Sequence, residues 1–113
     1  MYSLIFGLLT GNSNIVKVPS KNFEQIKIIC KIINNLLNKK KFKKIRKMIK
    51  IVKYENNNDE FKKFLSSICD VRIIWGGDKT IEKIRKFPIN SRSFDLIFAD
   101  RYSICILNAK TIK

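Results

Sequence analysis

A mixed α/β fold, a mostly parallel sheet with helices on both faces, follows from three observations in the sequence. Short apolar runs of strand character alternate with segments of helical periodicity, and turn residues punctuate the junctions between them. The 113 residues suffice for one small domain with a core of its own. The predicted order is helix, strand, helix, strand, helix, strand, helix, strand, strand, and strands joined through helices pair in parallel.

Tyr2 to Leu9 is almost wholly apolar, as the last turns of a buried helix are, and Thr10-Gly11-Asn12 supplies its stop. Ile15, Val16 and Val18 predict a short strand broken by Pro19, which has no N–H for a sheet ladder. Asn22 and Gln25 have the spacing of a capping box. Phe23, Ile26, Cys30, Ile33 and Leu37 then recur at helical spacing, predicting an amphipathic helix packed on a sheet. Asn38 to Lys47, NKKKFKKIRK, reads as a connector. Met48 to Tyr54 alternates as a second strand, with Ile49 and Ile51 on one face and Lys50 on the other.

After the polar turn at Glu55 to Asn58, Asp59 can cap a helix bearing Phe61, Phe64, Leu65 and Ile68. Val71, Ile73, Ile74 and Trp75 predict a third strand that breaks at Gly76-Gly77. Asp78 then caps a short helix from Thr80 to Lys86, closed by Pro88. Asp95 to Phe98 and Ser103 to Leu107 complete the set as two further strands.

The formal net charge is +15, with no histidine, which excludes histidine-based acid/base chemistry and histidine–metal sites. So basic a chain can serve a nucleic acid, most directly through Lys39 to Lys47, or can carry its excess lysine on solvated faces with no partner at all. Cys30, Cys69 and Cys105 each sit in an apolar run and form no CxxC pair, the pattern of buried free thiols in a reducing cytoplasm. MYSLIFGLLTG has neither a positive leading region nor a cleavage-type pair, and is far short of the ~20 apolar residues that span a bilayer. The expected compartment is the cytoplasm.

In open α/β sheets ligands collect beyond the carboxyl ends of strands, and two such ends stand out. The first is Lys17 to Lys21. The second is Trp75-Gly76-Gly77-Asp78, where a strand, two glycines and a helix start offer backbone N–H groups to a phosphate. Both have plainer readings, since Lys17 also fits a lysine snorkelling at a sheet edge and Gly-Gly a tight turn. Neither matches GxGxxG or a Walker A loop.

GNSNIVKVPSK resembles the GN-x-x-x-x-K-P-S-E segment of the aldehyde dehydrogenase superfamily, with the same spacing from glycine to lysine. YSLIFGLLTGNSNIVKVPSK, DVRIIWGGDKTIEKIRKFPI and FADRYSICILNA together resemble, in order and spacing, the luminescence-type long-chain fatty-acyl-CoA reductases of that superfamily. The resemblance implies a Rossmann-like, aldehyde-dehydrogenase-type cofactor-binding domain over residues 1–113, incomplete and without a catalytic domain. It implies NADPH-dependent reduction of a long-chain fatty-acyl-CoA to an aldehyde through an acyl-cysteine. Lys17 would bind the adenosine ribose or its phosphate, and Gly76 and Gly77 would lie beside the pyrophosphate. The glutamate that NAD-preferring relatives place on the ribose hydroxyls falls at Ser20, with Lys21 following, which favours NADPH.

The departures from the family pattern are also specific. LIFADRYS lies where relatives carry Leu-Glu-Leu-Gly-Gly, so the family's general base falls at Ile97. None of the three cysteines matches the family's nucleophile, which lies beyond the strand ending near Leu107, and the Pro-Asn segment of the family's active site would precede Met1. The expectation is therefore part of a reductase, inactive alone, whose catalytic half or oligomer partner lies elsewhere; the alternative is a small basic nucleic-acid-binding module.

Overall fold

The computed structural model describes residues 2–100. The strand expected at 103–107, with Cys105, lies outside them. The described chain divides into two compact units, Met1–Asp59 and Glu60–Lys113. Each is built on a pair of parallel strands.

The first unit opens with α1 (Tyr2–Leu9), which ends as its sequence predicts. Gly11 takes φ 79°, its N–H bonds to the Leu8 carbonyl and that of Asn12 to the Gly7 carbonyl, a glycine-terminated Schellman stop. A side chain at Gly7 would run into the Asn14 amide, so the glycine lets α1 lie close to the next strand. That strand, β1 (Asn14–Lys17), pairs in parallel with β2 (Ile49–Val52), Lys17 opposite Val52. The Val18 N–H adds one bond to the Val52 carbonyl before Pro19 ends the ladder.

The crossover between these strands is α2 (Glu24–Leu37), a 3-10 turn at Lys40–Phe42 and α3 (Lys43–Arg46). Two expectations change here. The connector is helical for most of its length, and it is against these turns that α2 folds back. Asn22 does not cap α2: the position before the helix is Phe23, with no side-chain cap, while the Asn22 Oδ1 accepts a 2.7 Å hydrogen bond from Lys53 Nζ. An available ammonium across the loop outcompeted the backbone N–H groups for that oxygen. β2 is also shorter than the predicted Met48 to Tyr54, which places Tyr54 in the loop that follows it.

The second unit holds α4 (Asp59–Ile68), β3 (Val71–Gly76), α5 (Asp78–Arg85) and β4 (Phe94–Ala99). Asp59 is the first residue of α4 rather than its cap, and α5 starts two residues earlier than predicted, with Gly77 at its N-cap position and Asp78 in its first turn. β3 and β4 pair in parallel, residue 71 opposite 94 through 76 opposite 99. The core lies under one face, where Ile74 is 1% exposed and Ile81 of α5 is buried. Packing on that face involves α5 against both strands.

On the other face Val71, Ile73 and Trp75 stand beside Phe94, Leu96 and Phe98, all exposed among the described residues. Trp75 and Phe98 stack there, ring centroids 4.3 Å apart. Helices on both faces were expected; among the described residues of this unit they cover one. Period-two alternation in β3 is masked in the sequence because both of its faces carry apolar residues.

Candidate functional site

Both strand ends singled out in the sequence are formed, one in each unit. In the first, parallel pairing decides what surrounds Lys17. Because Lys17 lies opposite Val52, the residues that follow β2 leave the pair at the same edge. Lys17 Nζ donates a 2.7 Å hydrogen bond to Asn56 Oδ1 and lies 5.2 Å from the centre of the Tyr54 ring. The ammonium is thus held by a neutral amide and an aromatic face, and it stays exposed to an incoming anion. Burial pushes the Tyr54 hydroxyl above the ordinary tyrosine range, so the ring stays neutral beside the cation.

Ser20 reaches the same loop. Its Oγ donates to the Tyr54 carbonyl at 3.0 Å, fastening the turn after β1 to the turn after β2. Lys21, exposed, follows immediately. Sequence reasoning placed Lys17, Ser20 and Lys21 at one strand end, and they share it. It missed Tyr54 and Asn56. The available signal was positional: both follow the neighbouring strand, where a parallel crossover delivers its chain to the same edge.

In the second unit Gly76 and Gly77 link β3 to α5. Gly76 takes φ 149°, a conformation that side-chain-bearing residues rarely adopt, and a methyl there would also press on Thr80. At Gly77 a Cβ would stand 2.9 Å from an Asp100 carboxylate oxygen. This is a strand–glycine–helix turn with a positive helix end, and a carboxylate from the end of β4 lies against it. An anion approaching the turn meets that charge unless the exposed Asp100 side chain turns outward.

Beneath the strands runs an ion pair that the sequence reading did not single out. Arg72 and Asp95 are register partners on β3 and β4, joined by bonds of 2.7 Å from Nε and 3.0 Å from Nη2. Their side chains are only 11% and 12% exposed. Arg72 Nη1 also donates to the Ser66 hydroxyl of α4 and to the Phe87 carbonyl, each at 2.9 Å. The hydrogen bond from Arg72 holds the Asp95 carboxyl below its ordinary value, against an opposing push from burial. This cluster is structural: one guanidinium ties α4, β4 and the turn after α5 to β3.

Neither described cysteine carries a nucleophile signature. Cys69 Sγ lies 3.4 Å from the Ser66 carbonyl, and burial, outweighing nearby Arg72, raises its thiol. Cys30 is a half-buried free thiol on α2. No group of three potential metal ligands occurs among the described residues, and no described helix is long and apolar enough to cross a membrane.

No curated protein and no solved structure matches the chain. The model of the family described as acyl-CoA reductase (LuxC) matches residues 1–112. The match spans nearly the whole chain, which therefore belongs to that family.

Proposed function

From membership of the acyl-CoA reductase family, we propose that this chain supplies NADPH-binding elements of a reductase that turns a long-chain fatty-acyl-CoA into a fatty aldehyde. The family reaction passes through an acyl-cysteine, and none of Cys30, Cys69 and Cys105 is assigned that role. The proposed architecture is a Rossmann-like, aldehyde-dehydrogenase-type cofactor domain, present in part. The observation that carries this reading is the setting of Lys17. A lysine at the carboxyl edge of a parallel strand pair is steadied by an amide and a ring, with Ser20 beside it where a carboxylate would repel a 2′-phosphate.

NADPH, when bound, supplies the hydride. The chain's own residues bind and orient. Lys17 and Lys21 offer cations to the ribose hydroxyls and the 2′-phosphate, and Ser20 holds the loop that carries Tyr54 and Asn56. In the second unit we assign Gly76 and Gly77 to a phosphate, with Asp100 as the group that must move aside.

Titration of the chain with NADPH and NADH tests the assignment. Lys17→Met is expected to weaken NADPH binding about tenfold or more, the worth of hydrogen bonds to a charged group. Ser20→Glu should turn the preference toward NADH, and Asp100→Asn should tighten NADPH binding. Unchanged affinity in Lys17→Met, or an unchanged preference in Ser20→Glu, would remove the ribose site from these residues.

A further inference from the structure

The reductase reading makes no use of the densest charge in the chain. Lys40, Lys41, Lys43, Lys44 and Lys47 line one open concavity of about 410 Å3. Lys40, Lys43, Lys44 and Lys47 have the i, i+3, i+4, i+7 spacing that sets side chains on one helical face. With Lys41 they are carried on the 3-10 turn and α3, which pack back on α2.

No aspartate or glutamate occurs between Glu24 and Glu55, and among the described residues none of the five lysines is paired with a carboxylate. Lys40 with Lys44 and Lys43 with Lys47 are like charges four residues apart, a spacing that opposes helix formation. An assembly of unneutralised cations around a hollow gains most from a ligand carrying several anions in a row.

We infer that this concavity binds the phosphate backbone of a nucleic acid, independently of base sequence. Lysines are mobile point charges that track phosphates without reading base edges. A stacking platform for bases is missing, since Phe42 is half-buried with the Lys41 ammonium 4.9 Å from its ring centre. A membrane surface is the poorer fit. A lipid-docked helix buries an apolar face alongside its basic residues, whereas the five lysines are carried by a 3-10 turn and the four-residue α3.

Fluorescence anisotropy of the full chain with dT20 and rU20 tests this. Both oligonucleotides should bind alike. With about 0.7 counterions released per phosphate contact, five contacts weaken binding on the order of 100-fold between 50 and 200 mM salt. Replacing Lys40, Lys41, Lys43, Lys44 and Lys47 with Gln should abolish binding and the salt dependence. The same change at the exposed Lys31, Lys63, Lys79, Lys83 and Lys86 removes equal charge and should leave most of the affinity. Circular dichroism of each variant confirms that the helices persist, and the salt series on the unaltered chain reads the contacts without any substitution. Equal loss in both variants, a flat salt series, or binding to phosphatidylglycerol vesicles but not to oligonucleotides overturns the inference. None of these outcomes bears on NADPH binding at Lys17.

Discussion

The two units solve the same problem, a pair of short parallel strands, with different materials. In the second unit the pair is fastened from beneath by one nearly buried guanidinium that meets β4, α4 and the turn after α5, next to a fully buried Ile74. The first unit has Leu4 as its one buried residue among those described, and its strand ends are joined at the rim by Lys17 to Asn56, Ser20 to Tyr54 and Lys53 to Asn22. Buried ion pairs resist water and fix one geometry, whereas rim contacts between exposed groups exchange with water at little cost. The contrast separates a rigid support from an adaptable edge. Anion-binding candidates lie chiefly on the adaptable one.

The largest expected effect would break the contrast outright. Arg72→Ala leaves the Asp95 carboxylate without its main partner in a mostly dry setting and should cost about 3–5 kcal/mol. Trp75, the only tryptophan, lies on β3 and reports this unit in urea unfolding monitored by fluorescence. Hydrogen exchange of peptides from residues 2–58 should change much less. Equal loss of protection across both units would mean that they do not unfold separately.

Next in size, Ile74→Ala empties the one side chain that is fully buried among the described residues and should cost about 3 kcal/mol in the same assay. Gly76→Ala combines an unfavourable φ with a methyl pressed on Thr80, and about 1–3 kcal/mol is expected. Acid should act on the second unit first. The folded Asp95 carboxyl titrates below the ~3.9 of an unfolded aspartate, so its contribution is whole above that value and is lost as pH falls through the lower folded value. A fluorescence midpoint in urea that holds steady between pH 5 and pH 2.5 would contradict this.

The smallest effect sharpens the other side of the comparison. Ser20→Ala removes one neutral hydrogen bond at the rim and should cost about 1 kcal/mol or less, read as faster exchange around residues 53–58 with no change at Trp75.

Much of this was legible in advance where the signal is local. The apolar run Tyr2 to Leu9 and its glycine stop, the helical spacing from Ile26 to Leu37, and the strand before Gly76-Gly77 all formed near their predicted bounds. Caps were misread at Asn22, Asp59 and Asp78. A capping side chain competes with every other donor in reach, and the sequence does not show that Lys53 is one of them. Arg72 and Asp95 left a faint trace, each a charge at a position sharing strand parity with the covered Ile74 and its register partner Ile97. Apolar neighbours on both sides hid that parity.

The sequence by itself determined the alternation of strand and helix, the turns, the absence of histidine chemistry, and where positive charge concentrates, because periodicity and composition act over a few residues. Tertiary structure decided which distant side chains meet. Lys17 and Asn56 are 39 residues apart and Arg72 and Asp95 are 23 apart, and in each case strand register brings them within hydrogen-bond reach. The turns after α2 likewise set five lysines around one concavity.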